Sequence, residues 1–490
     1  MQIRNRELKI ILFFLSFCIS FIMFFSHPQG DDEMVSIFIA QELYQHVINL
    51  KFFDFSSVLL QNYHPPGREL VLMLSHFVFE DNLVNARIIS VTLYAFIIIK
   101  LFELSYKISN DKFISFFIST LIVFTGMFQI QAMVSIHGVT TLMGILMIIK
   151  FLDIQERKNN LLKSDIYMII IFNFIAFLFS NSFLLISLPS FIILNYLLII
   201  NDYKFKKIIY LNTIILIFYL LYYLVFLFVP YYLHENGFTN EPIGQYYKYL
   251  YRIENTNLKF TSLIENFKIV NFYTFPILFY ILSLLGTLFL FLKFRFIFIL
   301  LFLYFITFQF FIKISTGQHY LSYIIWTFPF GIYYIIERII KIKIIKKNFI
   351  ILSPVVLLII FSWTFNYHIK FYNEKNFPKF TTIENLIDFK WTHNKRFPLV
   401  DIENELMQIK KNNTLNLAGS EWNIYFKKKD YFYNKDVISK DYNCKELNDF
   451  YRDIEAILFK ENINYSCIKN FENSKIINFK NSSFILVKKK

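Results

Sequence analysis

The sequence predicts an α-helical polytopic membrane protein of about eleven transmembrane helices, carrying a small extracytoplasmic α/β domain at its C-terminal end. Three observations point there. Hydrophobic residues make up 56% of the chain and charged residues only 18%, with a mean hydropathy of +0.46, too apolar for a water-soluble surface. The apolar residues gather into runs of roughly 20, the length that crosses a bilayer as a helix. Lysine and arginine fall in every second connection between those runs.

The first run, 8–25, follows Arg4 and Arg6. A signal peptide is the alternative, but Ser26, His27 and Pro28 supply no small-x-small cleavage site, so the run reads as a retained span. Further runs lie at 84–106, 113–128, 132–152, 166–179, 183–200, 208–229, 272–292, 296–312, 320–340 and 349–368. One set of connections carries Lys107 and Lys112; Arg157, Lys158 and Lys163; Lys204, Lys206 and Lys207; Lys293 and Arg295; and Arg338, Lys341, Lys343, Lys346 and Lys347. The connections 129–131, 180–182 and 315–318 carry none. By the positive-inside rule the N-terminus is cytoplasmic, and an odd span count places the C-terminus outside. The formal charge of +14 therefore reads largely as orientation, not as a nucleic-acid stripe.

The domain organisation follows: a transmembrane domain over 1–369, with external loops 26–83 and 230–271, and a soluble external domain over 370–490. In the latter, 415–417, 424–426 and 484–487 are strand-like, and 447–460 has helical spacing. Outside the cytoplasm Cys444 and Cys467 are either a disulfide or two half-buried thiols. The three cysteines form no CxxC or Cys/His cluster, so no structural zinc site is expected. No internal repeat is evident, which weighs against an inverted-repeat transporter.

Chemistry concentrates in the first external loop. It opens His27-Pro28-Gln29-Gly30-Asp31-Asp32-Glu33, ahead of a helix over 34–50 with apolar residues at Met34, Ile37, Phe38, Tyr44, Val47 and Ile48, suited to the membrane interface. The acids have two readings: helix caps that match the dipole, or reactive carboxylates at head-group level. The loop continues through Tyr63-His64-Pro65-Pro66-Gly67-Arg68-Glu69 and a short helix to 81–85, with Arg87 at the mouth of the second span.

This series resembles the GT-C class of membrane glycosyltransferases, in particular the branch of protein O-mannosyltransferases and lipid A aminoarabinose transferases. There an Asp-Glu pair follows the first span, a His-Pro-Pro or Glu-Lys-Pro element starts a second loop helix, and an Asn-x-x-x-Arg-like stretch opens the second span. The matches are Asp32-Glu33, His64-Pro65-Pro66, and Asn82 to Arg87. They cover the first 110 residues; the remainder matches in layout.

The resemblance implies a sugar donor linked to a polyprenyl phosphate, inverting transfer at the outer face of a bacterial cytoplasmic (inner) membrane, and a protein, lipid or glycan acceptor. A carboxylate is needed to take the acceptor hydroxyl's proton, and Asp32 matches the first acid of the family pair, with Glu33 supporting it. The leaving group is a phosphate, which cations stabilise. His64 stands where the aminoarabinose transferases carry lysine and Arg68 one turn later, so both are substrate-binding candidates. Their bland alternatives are a turn histidine stacked on prolines and a snorkelling arginine. Arg87 either binds substrate or fastens the loop to the second span. Lys313 and His319-Tyr320, at the outer ends of the ninth and tenth spans, either bind the lipid phosphate or anchor the spans. His137 in the fourth span is expected to face protein or a cavity, and Glu103 to pair with Lys100 or Lys107. Where relatives carry an arginine and a tyrosine, this chain reads Gln131-Ala132-Met133-Val134-Ser135, a departure on the donor side. The tyrosines of 230–271 suit interface anchoring or stacking on substrate. No cofactor is assigned; metal dependence stays open, since the acids suit a divalent cation whereas the resemblance implies enzymes that work without one.

Two other classes compete. A polysaccharide polymerase or ligase also uses lipid-linked sugars but places its large loop between late spans. A lipid-glycan transporter concentrates ionisable groups at mid-membrane, where this chain has few.

Overall fold

A computed structural model of the protein describes residues 5–25, 31–62, 64–78, 83–123, 135–239, 242–255, short helical pieces between 285 and 300, 328–340, and parts of 402–489. Two compact units are present, one of Met1–Phe21 with Ala40–Asn366, the other of Ile22–Ile39 with Tyr367–Lys490.

The helices are α1 (Asn5–Phe25), α2 (Asp31–Ile48), α3 (Phe52–Gln61), α4 (Gly67–Ser75), α5 (Leu83–Ser109), α6 (Lys112–Val123), α7 (Ser135–Glu156), α8 (Lys163–Phe179), α9 (Leu184–Ile200), α10 (Phe205–Tyr223), α11 (Val229–Glu235), α12 (Gly244–Asn255) and α13 (Phe328–Ile340). A 3-10 turn, Asn181–Phe183, joins α8 to α9, and a π-helical turn, Leu224–Phe228, joins α10 to α11 without a break. Pro230 lacks an N–H and its ring crowds the carbonyl of the preceding turn; the widened π turn lets the helix run past it.

Among the described residues three helical stretches are long and apolar enough to cross a membrane: Ile88–Ser109, Gly138–Glu156 and Phe205–Glu235. The first two are 56% buried, the third only 17%. Along that third stretch Ile209, Leu216, Leu220, Leu221 and Phe228 are exposed. Such a face is untenable in water and ordinary in hydrocarbon, which makes this a helical membrane protein. The predicted spans 349–368 and most of 272–292 and 296–312 lie outside the described residues.

The core of the first unit is built by α5, α6, α7 and α8. Val91, Ala95, Ile98, Leu101 and Phe102 of α5 are buried, as are Ile145, Ile148 and Leu152 of α7. Gly138 lets α7 approach α5 closely: a Cβ there would lie 2.9 Å from the Leu93 side chain. Buried hydroxyls return to their own helix, as Ser119 does to the Ser115 carbonyl at 2.8 Å.

Among the described residues, lysine and arginine of these connections gather at one end of this unit. Glu103 accepts from Lys100 at 2.8 Å and from Lys9 at 2.7 Å. Lys107 pairs with Asp153, and with Glu156 at 3.5 Å. Asp165, 1% exposed, accepts from Arg157 at 2.5 Å and from Lys150 at 3.5 Å, while capping α8 through the Leu162 N–H. Gln155 donates to the Lys293 carbonyl at 3.2 Å.

The second unit contains a five-stranded mixed sheet in the order β2-β1-β3-β5-β4, with β1 Thr414–Leu417, β2 Phe432–Tyr433, β3 Ala456–Lys460, β4 Ser474–Asn478 and β5 Phe484–Lys489. β1 runs parallel to β2 and β3; β5 runs antiparallel to β3 and β4. The sheet corrects one expectation: 456–460, read as the end of a helix, is the central strand. Ala456, Ile457 and Leu458 are all buried, so successive residues on both faces are apolar and the strand's period of two is lost. The strand-like run 424–426, Cys444 and Cys467 lie outside the described residues. Residues 37–43 of α2 also depart from a simple interfacial helix: Ile37, Ile39, Ala40 and Leu43 are buried.

Candidate functional site

The loop segment 62–69 is folded into the first unit. Asn62, 2% exposed, ends α3, and its side-chain oxygen accepts the His64 N–H at 3.0 Å, an Asx turn that reverses the chain. Pro65 and Pro66 are buried behind it. They stop α3 and preset the backbone for the next helix; the Pro66 carbonyl accepts the Leu70 N–H at 3.0 Å, opening α4. Gly67 presses on the end of α8: a Cβ there would lie 2.7 Å from both the Leu178 carbonyl oxygen and the Phe179 ring.

Arg68 and Glu69 follow, 4% and 0% exposed, sharing a buried face with Leu72 and Met73, while Val71 and Leu74 on the other side are exposed. Arg68 therefore does not snorkel; its side chain is inside the protein. Neither Arg68 nor Glu69 is without a partner, as buried charges require.

Beside this turn lies a closed ring of hydrogen bonds. The Asn181 amide donates to the Gln245 carbonyl oxygen at 2.9 Å, the Gln245 amide donates to the Tyr222 hydroxyl at 2.7 Å, and that hydroxyl donates to Asn181 at 2.9 Å. Each member gives once and accepts once, so every bond polarises the next. Glu69 is within electrostatic range of the Tyr222 hydroxyl. Next to Gln245, Gly244 adopts φ +57° and touches the end of α3, where a Cβ would lie 2.1 Å from the Leu60 carbonyl oxygen. Two glycines thus seat the α3–α4 hairpin against α8 and α12.

Three connections, represented by 62–69, 180–183 and 244–245, meet in this layer. It lies at the other end of α8 from the Arg157–Asp165 pair. A buried arginine near a histidine on a rigid mount has the chemistry of an oxyanion or phosphate contact.

Of the sequence-predicted residues, the structure brings His64, half-buried, and Arg68 into this one turn. Asp32 and Glu33 are the second and third residues of α2, in its first turn, and Arg87 is on the first turns of α5. The side chains of Asp32, Glu33, Arg87 and His137, and the whole of Lys313, His319 and Tyr320, lie outside the described residues. Sequence reading passed over Glu69, Asn181, Tyr222 and Gln245. The one local signal was glycine: Gly67 and Gly244 each adjoin the cluster. Among the described residues no three His, Cys, Asp or Glu side chains gather as metal ligands. No protein-family model matches the chain, and no curated protein matches it.

Proposed function

We propose that this protein is a GT-C-type membrane glycosyltransferase. It moves a sugar from a polyprenyl-phosphate carrier to a protein, lipid or glycan acceptor at the outer face of a bacterial cytoplasmic membrane. The N-terminus is cytoplasmic and the domain over 370–490 external, because the lysine-bearing connections define the inner side. Asp32 is the general base, with Glu33 in support. His64 and Arg68 receive the lipid phosphate, and Arg87, Lys313, His319 and Tyr320 are further donor contacts.

The observation that carries this reading is the burial of the turn His64-Pro65-Pro66-Gly67-Arg68, with His64 half-buried and the rest buried, at the opposite end of α8 from the Arg157–Asp165 pair. A loop that served only as a connector would be expected on the surface. The motif order Asp32-Glu33, His64-Pro65-Pro66, Asn82 to Arg87 supports the family assignment. The test is incubation of the purified protein with a panel of polyprenyl-phosphate sugars, scoring release of the lipid phosphate. Release from one donor, lost in Asp32→Asn, is the expected result. No release from any donor by folded protein overturns the reading.

A further inference from the structure

The lysine-bearing end of the first unit holds a surface that the glycosyltransferase reading does not use. Asn201 ends α9 and fastens two connections together. Its side-chain oxygen accepts the Leu161 N–H at 3.1 Å, and its amide donates to the Asn159 carbonyl at 2.9 Å. Both connections are tight: Lys158, Asn159 and Asp202 all have positive φ, between 55° and 65°. This clamp sets Lys158 and Lys163 of one connection beside Lys204, Lys206 and Lys207 of the other.

Within these two connections lysine outnumbers acid. Asp165 is buried and already held by Arg157 and Lys150. That leaves Asp202 as the remaining acid of these two connections against the lysines. At the start of α8 and on α10, apolar and aromatic side chains point outward: Leu162, just before α8, is 46% exposed, Tyr167 57%, Phe205 76% and Tyr210 65%. α8 meets α10 toward the far end of both, where Phe174 stacks on Phe218 at 3.8 Å between ring centroids, and α10 belongs to the stretch that is only 17% buried. Lys207 lies 4.8 Å above the Tyr203 ring, a cation held at the aromatic level.

We propose that the connections 157–163 and 201–207, with the outward faces of α8 and α10, form a binding surface for anionic phospholipid. The lysines meet the phosphate head group and the exposed apolar side chains meet the acyl chains. Charge complementarity selects the lipid class. A zwitterionic head group brings its own ammonium against the lysines, whereas phosphatidylglycerol brings a net negative charge. The surface is lipid-facing, which also separates it from a site for a soluble anion.

The test is native mass spectrometry of the full chain in detergent, titrated with phosphatidylglycerol or phosphatidylcholine. Bound phosphatidylglycerol is expected at several-fold lower concentration than phosphatidylcholine, with the preference shrinking as salt is raised. The triple variant K204Q/K206Q/K207Q should bring phosphatidylglycerol down to the phosphatidylcholine level. The charge-matched control K51Q/K475Q/K489Q, at exposed lysines elsewhere, should retain the preference. Equal binding of the two lipids by the wild type, or equal loss in both variants, overturns the proposal. Displacement of phosphatidylglycerol by millimolar inorganic phosphate overturns it too, by showing a site for free phosphate instead of lipid. Circular dichroism of the triple variant separates loss of the surface from loss of fold.

Discussion

Gln245 donates its side-chain amide to the Tyr222 hydroxyl at 2.7 Å, joining the start of α12 to the end of α10 across 23 residues of sequence. The same hydroxyl is spent on Asn181. Tyr222→Phe keeps the ring and removes the oxygen, so it leaves the Gln245 donor and an Asn181 acceptor facing each other with nothing between. Leaving buried polar groups unmatched costs about 1–3 kcal/mol. A thermal-unfolding midpoint several degrees lower is expected for the full chain in detergent. A variant as stable as the wild type would show that the cycle of hydrogen bonds contributes nothing to stability.

Gly244 offers a sharper steric test. Its φ of +57° disfavours any side chain, and the Leu60 carbonyl oxygen stands 2.1 Å from where a Cβ would be. Gly244→Ala has to move backbone, so α12 should detach from the end of α3. Limited proteolysis is the measurement: cleavage near 236–244 should become several times faster than in the wild type. Gly237→Ala is the control, since that glycine also has positive φ, 74°, but has open space around it. Equal cleavage of both variants would attribute the effect to backbone strain alone.

The contrast between these residues shows what was readable beforehand. The apolar runs that became α5, α7, α8, α9 and α10 announce themselves because a lipid-facing helix must be apolar over its whole length. Glu103 and its lysine partner were equally legible, since a charge at a span's end needs a neighbour within a turn. Asn181, Tyr222 and Gln245 were not. They are neutral, they are spread over 65 positions, and only the three-dimensional meeting of three connections gives them meaning. Glu69 carried no signal for a different reason: an acid in a helix's first turn normally faces water. β3 was hidden by being central: with both faces covered, Ala456-Ile457-Leu458 has no alternation to detect.

At the lysine-bearing end, Asp165 is the hub. Asp165→Asn keeps a hydrogen-bonding cap for α8 but removes the charge that Arg157 and Lys150 share. Arg157 is 32% exposed, so water compensates part of the loss. The cost should fall between that of a surface pair and a fully buried one, roughly 2 kcal/mol. A double-mutant cycle with Arg157→Met reads the coupling directly; a coupling within error of zero would reduce the contact to coincidence.

In the second unit, the Lys488 ammonium hydrogen-bonded to Glu405 holds that carboxyl below its usual value of 4.5. The folded state therefore prefers the ionised form. The pair's contribution is complete above about 4.5, the value the carboxyl has in the unfolded chain, and it is lost as pH falls through the lower folded value. Hydrogen exchange of β5 in the full chain, corrected for intrinsic rates, should accelerate only on the acid side of that window. Glu405→Gln should raise β5 exchange at neutral pH and flatten its acid dependence. An unchanged acid profile in Glu405→Gln would assign the effect to another group.

The proposed chemistry separates into a proton step and a phosphate step, and two substitutions should divide them. Asp32 is placed in the first turn of α2 and His64 in the buried turn before α4. If Asp32 takes the acceptor's proton during attack, Asp32→Asn should lower kcat by roughly 10²–10⁴-fold, the range typical of a lost general base, with donor binding retained. If His64 meets the carrier phosphate, His64→Ala should raise the donor KM with a smaller effect on kcat, and His64→Lys should restore binding because an ammonium supplies the same charge to a phosphate oxygen. The split matters more than either loss alone. A purely structural role for both residues would depress kcat and KM together, lower the melting temperature in step, and give no rescue by lysine.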